Sequence, residues 1–254
     1  MLAGLRTAAG FLTRVPMGET EGVLARAVGW FPTVGAMVGL AQGLVLVGAG
    51  RFVDPLLAAA LSVAASTLIT GAFHLDGIAD VADAFGGGWT REQRLGILKD
   101  SRLGTYGTAT VAIVLLIEVA ALTTIAERPA VEAVIAVMAA HAVSRAAAVV
   151  TMRVARPATV DGLAAAYVAE AGPLALTLAL SVAGALLVGL ALLIGGDSTA
   201  TILTVVAVVL AVSLATAVMI TLANRKIDGI TGDVLGSVQQ LSALATLVIV
   251  AAAT

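Results

Sequence analysis

The feature that most constrains this chain is the spacing of its charged residues. Between them lie apolar runs of about 20 residues, the length at which a helix crosses the roughly 30 Å hydrocarbon core of a bilayer. Six such runs cover about 29–50, 55–73, 107–126, 131–152, 173–194 and 200–222, and a seventh, more mixed at its start, covers 234–253. Only 12% of the 254 residues are charged and 60% are hydrophobic, whereas a soluble domain carries about 25% charged residues. The expectation is an all-α integral membrane protein, a polytopic bundle of about seven transmembrane helices that forms one domain over 1–254.

The distribution of Lys and Arg orients the bundle, because cytoplasmic connections are enriched in them. Eleven of the fourteen fall on one side: Arg6, Arg14 and Arg26, then Arg91, Arg94, Lys99 and Arg102, then Arg153 and Arg156, then Arg225 and Lys226. The other side has Arg51 and Arg128, and Arg145 lies within a run. This places the N-terminus and the longer connections, 74–106, 153–172 and 223–233, in the cytoplasm. Residues 1–26 read as an interfacial segment rather than a removed signal peptide. A net charge of −2 gives no electrostatic basis for nucleic-acid binding, and the absence of cysteine excludes disulfides and thiolate metal sites. Gly35, Gly39 and Gly43, spaced by four in the first run, point to close helix packing.

The chemistry concentrates in three connections on the basic side. In the stretch from His74 to Phe85, Asp76, Asp80 and Asp83 lie within roughly 60° of one another on a helix. Carboxylates held together raise one another's pKa unless a cation sits among them. Oxygen-only ligands suit Mg²⁺, which takes one or two carboxylates with waters and substrate phosphates, so the stripe predicts a Mg²⁺–diphosphate site. Lys99, Ser101 and Arg102, followed by Gly104 and Gly107 at the start of the next run, could cradle phosphate with backbone N–H groups contributing. The segment 224–236 repeats these ingredients with Arg225, Lys226, Thr231 and Asp233, and the third connection adds Arg153, Arg156 and Asp161.

These residues resemble the adenosylcobinamide-GDP ribazoletransferases, or cobalamin synthases, along nearly the whole chain. The resemblance is carried by Phe11-Leu12-Thr13-Arg14-Val15-Pro16, Phe31-Pro32, the acidic motif from His74 to Asp83, Lys99-Asp100-Ser101-Arg102-Leu103-Gly104-Thr105-Tyr106-Gly107, and Thr231-Gly232-Asp233-Val234-Leu235-Gly236. The family pattern departs from this chain at Asp228, where glycine is frequent, and at Gln239 and Gln240, where acidic residues are common. The resemblance implies that a ribose hydroxyl of α-ribazole, or of its 5′-phosphate, attacks adenosylcobinamide-GDP and releases GMP. It further implies a prokaryotic cell membrane, bacterial or archaeal, with the active site facing the cytoplasm, and leaves a homo-oligomer open.

On that reading Asp76, Asp80 and Asp83 hold Mg²⁺, and Lys99, Ser101, Arg102, Arg145, Arg225 and Asp233 bind substrate phosphate. Asp83 takes the hydroxyl proton, with Asp80 and His74 as the other candidates; His74 falls on the opposite side of the helix from the carboxylates. An intramembrane prenyltransferase would call for nine spans and a second Asp cluster, and a CDP-alcohol phosphotransferase for a longer Asp signature. A transporter would place charges at the bilayer midplane, where only Glu118, His141 and Arg145 qualify. Two further expectations concern those three residues. Arg145 should line a polar cavity, with a motif carboxylate or substrate phosphate as partner, and Glu118 and His141, at matching depths, should hydrogen-bond directly.

Overall fold

The computed structural model describes residues 2–18, 27–160, 163–195 and 198–253, and its regular structure is helical apart from one isolated backbone bridge. The expectations placed on Arg26 and Asp161 lie outside the described residues. A short helix, α1 (Leu2–Leu12), buries Gly4, Ala8, Ala9 and Leu12 along one face. It is followed by a single 3-10 turn at Val28–Trp30 and by α2 (Phe31–Ala49) and α3 (Pro55–Thr70). Asp54 starts α3, its Oδ1 accepting the Leu57 amide at 3.0 Å ahead of Pro55. Then come α4 (Phe73–Gly87), α5 (Arg91–Ile97), α6 (Thr105–Ala126), α7 (Ala130–Val154), α8 (Leu163–Glu170), α9 (Pro173–Ile194), α10 (Ser198–Ile227) and α11 (Gly232–Ala252).

Six helices are long and apolar enough to cross a membrane, within a few residues of the runs read from the sequence, and α3 with α4 forms a seventh, broken unit. The span expected at 55–73 is corrected here: α3 ends at Thr70, and α4 leaves it at an angle of 89°. Gly71 and Ala72 both adopt left-handed conformations, at φ 65° and 59°, and both amides return to the Thr67 carbonyl. For Ala72 that conformation costs roughly 1–2 kcal/mol. The expected connection 74–106 is accordingly not a loop but mostly α4 and α5. The connection 223–233 likewise shrinks, since α10 continues to Ile227, and α8 occupies part of 153–172.

Packing explains the order of the layers. α7 is the central helix, with every residue of 139–149 buried. The glycine stripe of α2 lets α7 approach: a Cβ on Gly39 would stand 2.7 Å from the Met138 Cα, and one on Gly43 would stand 3.0 Å from that of Val134. α9 and α11 complete the shell around α7, while α3 packs on α2 and α6. Outward faces remain apolar, as on α10, where Ile202, Leu203, Val206, Leu210 and Leu214 are exposed, which suits contact with lipid.

α4 crosses the ends of three spans. Gly77 rests against the backbone of Asp233 and Gly236 at the start of α11. Asp83 meets the start of α6, and Lys226 at the end of α10 donates to the Phe85 carbonyl at 3.0 Å. α4 therefore caps one end of the bundle, across the ends of α6, α10 and α11. Two connections beside it are sewn together by Ala158 N to Ile230 O and Ile230 N to Arg156 O, both 2.9 Å.

Candidate active site

The first turns of α4 carry the acidic stripe. Asp76 is exposed and Asp80 and Asp83 are half-buried, while His74, Gly77, Ile78 and Val81 face inward. Asp233, at the second position of α11, completes a cluster that the fold draws from two helices. Burial, then the carboxylates of Asp76, Asp233 and Asp83, push the Asp80 carboxyl up to about 6. The site is a concentration of negative charge that a cation would relieve.

Asp83 departs from the expected role. Its Oδ2 accepts the Gly104 amide at 2.7 Å and its Oδ1 accepts the Gly107 amide at 2.9 Å, so it caps α6 from a neighbouring helix. A Cβ on either glycine would fall on the carboxylate. The Gly104 and Gly107 amides at the start of α6, expected to help cradle phosphate, are thus already paired with Asp83, and both Asp83 oxygens are engaged by them. Among the described residues no group of three or more acidic or imidazole side chains is arranged to hold one ion. With Asp83 turned to the start of α6, the carboxylates left together are Asp76 and Asp80 on α4 and Asp233 on α11.

The basic residues fall into two sets. Lys99, Ser101 and Arg225 are exposed at this end of the bundle. Arg102 is also exposed, but it is engaged by Asp100, its Nε donating to Oδ1 at 3.0 Å, and these hydrogen bonds hold the Asp100 carboxyl down to about 2. The second set, not singled out from the sequence, holds the scaffold. Arg91 donates to the carbonyls of Ala158 at 2.7 Å and Ile227 at 3.2 Å and pairs with Asp228 at 3.1 Å. Arg94 donates to Gly88 at 3.0 Å and Lys226 at 3.1 Å. Their positions gave no clue, because each reaches a carbonyl more than 60 residues away.

His74 and Arg145 lie beneath the carboxylates rather than among them. Both are buried and line an internal cavity of about 30 Å³ together with Glu118, His141 and Gln240. The cavity expected around Arg145 is present, but among the described residues its expected carboxylate partner is not: Nη1 donates to the His141 carbonyl at 3.0 Å and meets Nδ1 at 3.0 Å, while Nε and Nη2 have no partner among them. The direct Glu118–His141 hydrogen bond does not form. Gln42 stands between them, its Oε1 2.5 Å from His141 Nε2 and its Nε2 donating to Glu118 Oε1 at 3.4 Å. The reason is packing: α7 is flanked by α2, and α6 touches it only marginally. Gln42 was missed although a carboxamide inside an apolar run is itself a signal of interhelical bonding.

Comparison with known proteins fits this arrangement. The family model of cobalamin-5-phosphate synthase matches residues 4–251. The chain is 39% identical, over 99% of its length and 94% of the relative's, to an adenosylcobinamide-GDP ribazoletransferase of Bradyrhizobium diazoefficiens. It is 41% identical, over 97% of its length and 96% of the relative's, to one of Ralstonia nicotianae. No solved structure matches it. With a helical membrane fold, an acidic cluster at one end of the bundle and these relatives along its full length, the chain belongs to the cobalamin-5-phosphate synthase family of membrane transferases in cobalamin synthesis.

Proposed function

We propose that the protein joins adenosylcobinamide-GDP to α-ribazole, or to its 5′-phosphate, on the face of α4 that carries Asp76 and Asp80. A ribose hydroxyl of the acceptor attacks the corrinoid-side phosphorus, the bond from that phosphorus to the bridging oxygen breaks, and GMP leaves with that oxygen. The observation that carries this reading is the convergence of Asp76, Asp80 and Asp233 where α4 crosses the start of α11.

The donor set fits Mg²⁺. It is oxygen-only, it is over-charged without a cation, and Mg²⁺ needs only one or two carboxylates when substrate phosphate and water supply the rest. Asp76 and Asp233 would hold it, and when bound it would neutralise the diphosphate and the departing GMP. Asp80, on the same stripe as Asp76 and with its carboxyl pushed up to about 6 before a cation binds, is the carboxylate left to take the hydroxyl proton. Lys99 and Arg225, exposed at the same end of the bundle, attract the donor's phosphates, and Arg102 can join them by exchanging Asp100 for phosphate. Most of the rate enhancement in such a transfer comes from positioning and charge neutralisation.

The bias of eleven Lys and Arg towards this end favours a cytoplasmic site in the cell membrane. Because the chain has no cysteine, a single Ser101→Cys can be probed in intact cells with a membrane-impermeant thiol reagent. Protection until lysis is expected, and labelling of intact cells would contradict the orientation. The activity itself is tested with purified protein, adenosylcobinamide-GDP and Mg²⁺, with and without α-ribazole 5′-phosphate. GMP release that requires the acceptor is expected, and GMP release independent of it would overturn the transferase reaction.

A further inference from the structure

We propose that the turn at residues 11–18, backed by Tyr167, is the subsite for the acceptor nucleotide, its apolar wall taking the planar base and Arg14 its 5′-phosphate. This rests on the reaction proposed above. The segment Phe11-Leu12-Thr13-Arg14-Val15-Pro16 contributes nothing to the acidic cluster, yet it is held in a defined shape. Thr13 Oγ1 donates to the Ala9 carbonyl at 2.7 Å and accepts the Val15 amide at 3.2 Å. Arg6 Nη2 donates to the Met17 carbonyl at 2.6 Å, and the Arg14 amide to Ile69 O at 2.7 Å.

The turn walls a cleft of about 650 Å³, lined among others by Thr7, Phe11, Thr13, Arg14, Met17 and Tyr167, within the range of about 300–1,000 Å³ that holds small ligands. A layer of packed rings links the wall of the cleft to α4, the helix that carries the acidic cluster. The Phe11 ring lies 4.8 Å from Tyr167 and 5.2 Å from Phe73, and Phe73 lies 5.1 Å from His74. A smaller cavity of about 40 Å³ behind these rings is lined by Phe11, Phe73, His74, Tyr167 and Gly232. Gly232 adjoins Asp233, and Asp76 is about one helical turn along α4 from Phe73.

The lining separates the acceptor's base from the guanine of the donor. Among the described residues no carboxylate or carboxamide side chain, the usual partners of guanine's N–H donors, lines the cleft, so it offers guanine little specific recognition. A benzimidazole has no such donors once its ring nitrogen carries ribose, and its apolar edges suit Val15, Pro16 and Met17. Among the described residues lining the cleft, Arg14 is the one cation. It is exposed, its side chain lies over Gly71 at the α3–α4 bend, and it makes no side-chain hydrogen bond or ion pair among the described residues. A guanidinium so placed offers charge-assisted, bidentate bonds to a phosphate.

The test is steady-state GMP release by Arg14→Gln, Arg14→Lys and Tyr167→Leu, with α-ribazole and with its 5′-phosphate as acceptors and with varied adenosylcobinamide-GDP. Arg14→Gln should raise KM for the 5′-phosphate by at least about tenfold, as loss of a charged hydrogen bond implies, with kcat little changed. KM for α-ribazole and for the donor should stay put, and Arg14→Lys should recover part of the loss. Tyr167→Leu should raise KM for both acceptors but not for the donor. Equal effects of Arg14→Gln on both acceptors, or a donor KM that rises in either variant, would overturn the assignment. Equilibrium dialysis of α-ribazole 5′-phosphate against wild type and Arg14→Gln separates the subsite from the reaction. Weaker binding by the variant supports the subsite even if the wild type releases no GMP, and equal binding refutes it.

Discussion

Replacing Asp83 with Asn separates two roles that the acidic stripe would otherwise merge. In the structure each carboxylate oxygen accepts one amide of the α6 start, at 2.7 and 2.9 Å. Asn retains one acceptor oxygen and turns its NH₂ towards an amide that also donates. One charge-assisted bond, about 1.5–3 kcal/mol, is lost, and the amide left without a partner costs about 1–3 kcal/mol. Removing the anion from the helix N-terminus costs a further 0.3–1 kcal/mol or so. These contributions overlap and the site is half-exposed, so the expected loss is about 2–4 kcal/mol. Asp76→Asn, at an exposed position without a hydrogen bond among the described residues, should change stability by no more than about 0.5 kcal/mol. Unfolding of both variants in the same detergent, followed by circular dichroism, measures the difference. Gly107→Ala should mimic Asp83→Asn, because its methyl group displaces the carboxylate. An Asp83→Asn protein as stable as wild type but without turnover would refute the capping argument and return Asp83 to the chemistry.

The remaining expectations follow from other contacts. Asp80, whose carboxyl is raised to about 6 from an ordinary 3.8, binds its proton more tightly folded than unfolded, so its ionisation opposes folding above that pH and the penalty fades as pH falls through 6 towards 4. Wild type should therefore gain stability relative to Asp80→Asn between pH 7.5 and 5, while its turnover falls over the same interval; parallel stability curves would contradict the shift. Gln42→Leu removes the bridge between Glu118 and His141 and should cost about 1–3 kcal/mol, since interhelical hydrogen bonds in membranes contribute about 0.6–1.7 kcal/mol each, measured by thermal unfolding in detergent. Gly39→Ala forces a methyl group to 2.7 Å from the Met138 Cα. It should destabilise by about 1–3 kcal/mol, and an unchanged unfolding midpoint would show that α2 and α7 can part without loss.

What could be read from the sequence was whatever repeats locally. The spans announce themselves as apolar runs, and the glycines of α2 do what their four-residue spacing implies. The acidic stripe is local too: spacings of four and seven put Asp76, Asp80 and Asp83 on one side of α4. What the sequence does not carry is where that side points. Asp83 is drawn off by the start of α6, and Asp233 takes its place from α11, because α4 crosses both helices. That crossing depends on Ala72 adopting a left-handed conformation, for which alanine gives no warning, so an unbroken span was expected through residue 73. The Glu118–His141 bond failed for a similar reason. Helices consecutive in sequence need not be neighbours, and the glycine stripe brings α2, and with it Gln42, against α7.

The central claim is that Asp76 and Asp233 form one cation site for the diphosphate, and the most direct test is GMP release as a function of Mg²⁺ concentration in wild type, Asp76→Asn and Asp233→Asn. Wild-type turnover should vanish on chelation and return with added Mg²⁺. Both variants should need at least about tenfold more Mg²⁺ for half-maximal rate, the loss expected for one carboxylate ligand at about 1.4 kcal/mol or more. Folded variants that follow the wild-type Mg²⁺ titration would contradict the site.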